Sequence, residues 1–268
     1  KDLTAEAIII VVDPDVAKSD GYWITPIKDG RTVVKVSYAG RDFELPVGVT
    51  NSSRTPSLSF YQDIVPIFTK SGCNTGGCHG AASGKDGFRI SLFGYDPEGD
   101  YFRVTRELIG RRINLALPED SLILEKSSGR VTHTGGKVIH EDSKVYETLL
   151  RWIAEGANPD PKDIAKVTSI EIYPVQSVLK GKGAKQRLTI RAMYSDGTDR
   201  DISDMAKFIS NNDMAAAVTQ EGTIIAGESG EAFVMARYDA FTVGAQVFTT
   251  PESTDFEWPG IPENNYVD

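Results

Sequence analysis

Cysteine is nearly absent from this 268-residue chain: it has two, alongside three histidines and four methionines. Two thiols cannot build a disulfide framework, so folding has to rest on buried apolar surface. Basic charge is also scarce. Lys and Arg total 29 against 38 Asp and Glu, giving a net charge of −9 and a pI near 5.0. That balance offers no phosphate-neutralising surface and argues against nucleic acid as a partner. No apolar run approaches the roughly 20 residues a bilayer-spanning helix needs, so no membrane span is expected. What is present is of ordinary globular kind: 40% hydrophobic and 25% charged residues, in a length that predicts two or three compact units at about 100–150 residues each. Lys1 is preceded by no signal peptide, which reads as a chain that starts after a processing site or at some other boundary.

Residues 166–249 carry the pattern of short strands, at Thr168–Ile172, Gln186–Tyr194, Thr223–Ala226, Glu231–Tyr238 and Val243–Thr249. Turn dipeptides separate them: Asp196-Gly197, Glu221-Gly222 and Ser229-Gly230. Leu188, Ile190, Ala192 and Tyr194 alternate with polar residues, and such strands at this spacing predict an antiparallel sandwich. Residues 1–50 repeat the second half of that unit. Lys1-Asp2-Leu3-Thr4 matches Arg200-Asp201-Ile202-Ser203, Asp13–Ala17 matches Asn211–Ala215, and Gly30, Val33, Val34 and Tyr38 match Gly230, Phe233, Val234 and Tyr238, at offsets of 198 to 200 positions. The first copy has no counterpart to the strands upstream of Arg200. Its open sheet edge invites pairing with another chain or an oligomer, and a truncated sandwich is the favoured explanation of it.

Between the copies the period changes. Ser59 caps a short helix carrying Phe60, Ile64, Ile67 and Phe68, with Pro66 expected to kink it. Asp100–Arg112 reads as a second helix with Phe102, Leu108 and Ile109 as its apolar positions. A third begins at Asp142 or Ser143, places Val145, Leu149, Trp152 and Ile153 on one face, and ends at Gly156 and Pro159. The expected organisation is a partial immunoglobulin-like β domain (1–55), a helical module (56–162), an immunoglobulin-like β-sandwich (163–250) and a tail (251–268).

The two cysteines fall together, in Cys73-Asn74-Thr75-Gly76-Gly77-Cys78-His79. A tetrahedral structural zinc needs four ligands, and Cys78 and His79 point different ways. A thioredoxin-like pair has two intervening residues in a βαβ context, and neither condition holds. Two readings stay open on spacing alone. One is a Cys73–Cys78 disulfide. The other is covalent haem attachment, with each thiol on a vinyl group, His79 beneath the iron, and Gly76 and Gly77 letting the backbone fold tightly.

Four motifs in order carry a resemblance: Cys73–Gly80, Phe88-Arg89-Ile90-Ser91-Leu92-Phe93-Gly94-Tyr95-Asp96, Pro118–Leu122 and His133-Thr134-Gly135-Gly136. Together they resemble the planctomycete-type cytochrome c domains of the class I fold, which are commonly joined to group 2 bacterial immunoglobulin-like domains. The resemblance implies an all-α class I cytochrome c module flanked by a partial and a complete immunoglobulin-like β-sandwich. It implies one covalently attached haem c on Cys73 and Cys78 with His79 as proximal ligand. The methionines all lie in 193–235, outside the helical module, so the distal ligand is expected from His133 or His140. The family's distal position, 19 residues before Trp152, favours His133, and two histidines would give a low-spin, low-potential centre.

The function so implied is extracytoplasmic electron transfer, with any catalysis expected in further domains rather than in this module; it is periplasmic or extracellular because covalent haem implies export, and its redox partner is unidentified. Two alternatives accompany it: a haem enzyme or small-ligand sensor with an exchangeable sixth position, and a structural or adhesive β-protein with a Cys73–Cys78 disulfide. Arg103, Arg106, Arg111 and Arg112 suit either a haem propionate or a solvated helix face, the latter favoured. Asp196, Asp199, Asp201 and Asp204 read as hairpin-turn residues rather than a calcium loop. Trp152 fits a haem edge or plain core packing. The tail Pro262–Asp268 resembles the entry to a further domain, so the chain is expected to be the front segment of something longer.

Overall fold

The computed structural model describes residues 3, 6–20, 23–252 and 264–265; the tail resemblance at 262–268 lies mostly outside them, as do Lys1, Asp2 and Thr4 of the repeat. The chain is mainly β, with 35% strand against 18% helix. An N-terminal β unit comprises β1 (Ile8–Val11), β2 (Ala17–Asp20), β3 (Trp23–Pro26), β4 (Gly30–Tyr38) and β5 (Arg41–Val49). A segment of short helices follows: a π-helical turn (Phe60–Ile64), α1 (Val65–Lys70), α2 (Pro97–Thr105), α3 (Leu122–Ser128) and α4 (Lys144–Ala154). The C-terminal unit holds β6 (Val167–Tyr173), β7 (Gln176–Lys180), β8 (Lys185–Arg187), β9 (Thr189–Tyr194), β10 (Asp199–Asp201), β11 (Lys207–Ser210), β12 (Ala216–Val218), β13 (Thr223–Ala226), β14 (Gly230–Tyr238) and β15 (Phe241–Thr250).

The C-terminal unit is a two-layered sandwich. One sheet runs β11-β14-β15-β7, and the facing strands run β10-β9-β6 and β12-β13-β8. Period-two alternation builds it: Ala232, Val234, Ala236 and Tyr238 of β14 point inward, as do Ile190, Ala192 and Tyr194 of β9, and all are buried in one core. The predicted strand Gln186–Tyr194 divides at Leu188, which is fully buried and whose N–H donates to Gly222 O.

The repeat is real at the level of register. β4 pairs antiparallel with β5 from Gly30↔Val49 to Tyr38↔Arg41, and β14 pairs with β15 from Gly230↔Thr249 to Tyr238↔Phe241, a constant offset of 200. The N-terminal unit reproduces β11 to β15 as β1 to β5. Counterparts of β6 to β10 are not among its described residues.

The expected all-α class I cytochrome c module is corrected by this architecture. The segment between the β units holds four α-helices of only six to eleven residues. Its density of glycine keeps much of residues 71–96 in turns, with Gly72, Gly84, Gly87 and Gly94 at positive φ. The helix expected at 100–112 is instead α2, entered earlier through Asp96, whose side chain accepts from Gly99 N. It stops at Thr105, ahead of Gly110 at φ 74°, so Leu108 and Ile109 are exposed rather than inward. The third expected helix is α4. Ser143 is its cap, accepting from Tyr146 N, and Tyr146, Leu149, Trp152 and Ile153 form its buried stripe. The Ser59 cap also holds, accepting from Gln62 N.

This segment is fastened to the C-terminal sandwich by polar contacts, most of them buried or half-buried. The Asp63 carboxylate lies 2.7 Å from the Arg200 guanidinium. Tyr238 Oη donates to Gln62 O at 2.8 Å, Tyr61 Oη donates to Asp239 at 2.7 Å, and Gln62 donates to Ala165 O. Lys70 Nζ donates to Asp204 O, Lys144 pairs with the Asp204 carboxylate, and Arg237 stacks over the Phe93 ring at 4.3 Å.

Candidate functional site

The cysteine–histidine turn grows directly out of α1. Cys73 N donates to Phe68 O, closing the helix, and His79 N donates back to Cys73 O at 3.0 Å, so the turn folds onto its own start. The Asn74 side chain sits buried beneath it and donates to Thr69 Oγ1. The glycines that make this possible are not the pair singled out from sequence. Gly76 and Gly77 have open space around them or ordinary contact only. Gly80 is the constrained one: a Cβ there would stand 2.1 Å from Asn74 O. Gly72, at φ 77°, supplies the left-handed step out of the helix.

His79 and His133 are brought together. Their rings are parallel to within 5°, with centroids 6.2 Å apart. His79 Nδ1 is 3.0 Å from Phe88 O, and His133 Nδ1 is 3.0 Å from Gly136 O. Each Nδ1–H is thereby engaged by a backbone carbonyl, which leaves the lone pair on Nε2 in both rings. Desolvation depresses the His79 pKa below its ordinary value, and the His133 charge adds to that. His140 stands apart on the surface, where its carbonyl accepts from the Ser143 hydroxyl.

Cys73 and Cys78 are free, which corrects the disulfide reading. Burial, and secondarily the charge of Cys78, pushes the Cys73 thiol up to about 12.

The remaining expectations resolve individually. Trp152 packs in the core of the helical segment and donates to Asn158 O. Arg103 pairs with Asp96 and Asp100, while Arg112 is buried, donates to Arg103 O and Gly87 O and lies over the Phe88 ring. These two are structural cations rather than a solvated face. The four aspartates have separate jobs: Asp196 binds Thr198, Asp199 pairs with Arg191, Asp201 accepts from Ser203, and Asp204 pairs with Lys144. Sequence reading missed the Asp63–Arg200 seam and Asp160, whose two oxygens accept from Phe60 N and Tyr61 N at the start of the π-helical turn. All three join residues about 100 or more positions apart, and no local pattern announces them.

No family model matches the chain, and no curated protein does. Among solved structures it is similar, at 10% identity, to surface-layer protein SbsC domains 1–6 (TM-score 0.29, 95% of this chain and 21% of that one). It is likewise similar to the S-layer protein SbsC domains 4 and 5 (TM-score 0.28, 93% of this chain and 72% of that one). The chain spans about a fifth of the length of the first of these. At such TM-scores the likeness carries no argument.

The resemblance to a planctomycete-type cytochrome c domain is corrected here: no family model supports it, and the chain is mainly β. The covalent haem c expected on Cys73 and Cys78, with His79 and His133 as iron ligands, is corrected with it. The described residues contain no group of three or more His, Cys, Asp or Glu able to hold a metal ion. The electron-transfer function, its low-potential bis-histidine centre, its redox partner and the haem-enzyme or sensor alternative rested on that cofactor and are withdrawn. Among the described residues no helix is long and apolar enough to cross a membrane.

Proposed function

We propose that the chain is a structural β-protein, exported to a cell surface or periplasm, in which residues 56–162 form a strut fixed to the sandwich of residues 163–250, with residues 1–55 as a second β unit. One observation carries this reading: the seam around Asp63 and Arg200, where a buried carboxylate, a guanidinium and two tyrosine hydroxyls join the helical segment to the sandwich. A tether between independent domains has no need of such contacts, because relative motion is the default for domains with small interfaces. A strut must resist that motion. Limited proteolysis and cell fractionation test the proposal together. The expected result is one resistant fragment spanning about residues 56–250, recovered from the exported fraction. Cleavage between Asp160 and Lys166 at the rate of an exposed linker overturns the strut, and retention in the cytoplasm overturns the location.

The parallel imidazoles favour a second role, proposed for the site residues expected from sequence. His79 and His133, each with Nδ1 tied to a carbonyl and Nε2 bare, have the form of a ligand pair oriented by backbone partners. The ligand class is a single transition-metal ion held weakly by two nitrogens, with Cys73 and Cys78 shaping the turn beside it. Titration with Ni(II), followed by the imidazole resonances, is expected to perturb both rings together, with affinity at least tenfold weaker in His133→Ala. Equal affinity in that variant removes the assignment.

A further inference from the structure

Between the end of β5 at Val49 and the Ser59 cap of the helical segment, residues 50–57 are all exposed. Within that stretch stands Asn51-Ser52-Ser53, an Asn-x-Ser tripeptide without proline at its centre, and no other asparagine of the chain has Ser or Thr two residues on. The backbone here is held while the asparagine side chain is not. Asn51 N–H and Ser52 N–H donate to the Asp29 carboxylate at 3.0 and 2.6 Å, and Arg54 N–H donates to Asn51 O at 2.9 Å, closing a turn. Asn51 has φ 57°, a left-handed conformation that asparagine tolerates. Its side-chain amide makes no hydrogen bond among the described residues. Asparagines elsewhere are used by the fold: Asn74 donates to Thr69, Asn158 to Glu155 O and Asn212 to Glu231 O, while Asn114 accepts from Leu117 N and Asn211 from Phe233 N. Nor does the strand end need the tripeptide. At the constant offset of 200, the second copy leaves β15 through Pro251-Glu252, with no asparagine.

We propose that Asn51 is a modification site, the acceptor of an N-linked saccharide transferred by an oligosaccharyltransferase from a polyprenyl-diphosphate-linked donor. Asn51 Nδ2 bonds to the anomeric carbon of the donor sugar. The bond from that carbon to the diphosphate oxygen breaks, and its electron pair leaves with the polyprenyl diphosphate. One of the two amide protons passes to a base of the transferase, and no group is oxidised or reduced. Ser53 supplies the hydroxyl two residues on that completes the acceptor pattern. A saccharide is bulky and strongly hydrated, so it belongs where it displaces no packing and no hydrogen bond. Asn51 meets both conditions, and the buried Asn74 meets neither. The site lies on the exposed connection between the N-terminal β unit and the helical segment, where chains are most readily nicked by proteases. A glycan there covers that connection.

This inference rests on the exported location proposed above, and the test separates the two. Trypsin releases Asp42–Arg54, a peptide with a single asparagine. In protein recovered from the exported fraction of its natural source, mass spectrometry is expected to find that peptide carrying a saccharide, with fragmentation placing it on Asn51. Asn51→Gln and Ser53→Ala are expected to lose the modification, and Ser53→Thr and Ser52→Ala to keep it. All four positions of change are exposed, so none of these variants disturbs the core. A bare peptide in exported protein overturns the proposal, as does a saccharide on Thr50 or Ser52 that persists in Asn51→Gln. A chain retained in the cytoplasm overturns the location instead, and the acceptor is then read in vitro, with purified oligosaccharyltransferase and a lipid-linked oligosaccharide. Transfer to the folded chain and none to Ser53→Ala is the expected result; no transfer to either overturns the site. None of these outcomes touches the seam at Asp63, so failure here is distinguishable from failure of the strut.

Discussion

The Asp63 carboxylate and the Arg200 guanidinium meet at 2.7 Å across the boundary between the helical segment and the β-sandwich. Asp63 is buried, and its second oxygen accepts from Ser59 N at the cap of the π-helical turn. One residue thus serves both the local turn and the long-range seam. Replacing Arg200 by Met leaves a carboxylate in low dielectric without its counter-charge, which costs about 2–3 kcal/mol, toward the lower end for a buried pair because Arg200 is partly solvated. Urea unfolding measures this. The double variant Asp63→Asn/Arg200→Met is expected to recover much of the loss, whereas additive single and double costs would show that the two charges are not coupled.

Gly80 and Gly77 differ sharply although three positions apart. A methyl group at Gly80 would meet Asn74 O at 2.1 Å, and one at Gly77 meets nothing within 4 Å. Gly80→Ala is expected to lose about 2 kcal/mol or more through forced backbone movement, and Gly77→Ala to change stability by about 0.5 kcal/mol or less. Similar thermal midpoints for the two variants would contradict the geometry of the turn.

The contrast also shows where sequence reading succeeds and where it stops. Alternation marks β13 at its observed limits, and matched glycines align β4 with β14, because a strand's face is written in its own residues. β7 escaped notice since its two inward residues, Ser177 and Leu179, are too few to show a period. α2 was misplaced because Phe102, Leu108 and Ile109 look like a buried stripe but face solvent, while the buried Asp100 and Val104 do not announce themselves. Within the turn, the glycine pair at 76 and 77 drew attention by adjacency, but need is set by the approach of Asn74 O to Gly80. The structure places the His79 and His133 rings parallel to one another; the cofactor expected on them did not survive the family comparison.

His79 links the site to pH. Its pKa lies below the ordinary 6.5, first because it is desolvated. The folded chain therefore takes up this proton less readily than the unfolded chain. The resulting stability is complete above the ordinary value and is lost as pH falls from there through the folded value. Urea midpoints measured between pH 8 and pH 5 should fall more steeply for the natural chain than for His79→Gln. Parallel profiles would remove His79 as the source.

The chain, expressed with export and cytochrome maturation, is expected to run unstained on a denaturing gel developed for haem peroxidase activity. A stained band lost in Cys73→Ser/Cys78→Ser would reverse the correction and restore the cytochrome.

In the proposed strut, the helical segment and the C-terminal sandwich behave as one body. Hydrogen-exchange mass spectrometry under conditions where opening is rate-limiting reads this directly, by comparing peptides covering α4 with peptides covering β14. Both are expected to exchange in one correlated opening in the natural chain, and Arg200→Met is expected to uncouple them, with α4 opening first. Independent opening of α4 in the natural chain, at a rate unchanged by Arg200→Met, would contradict it.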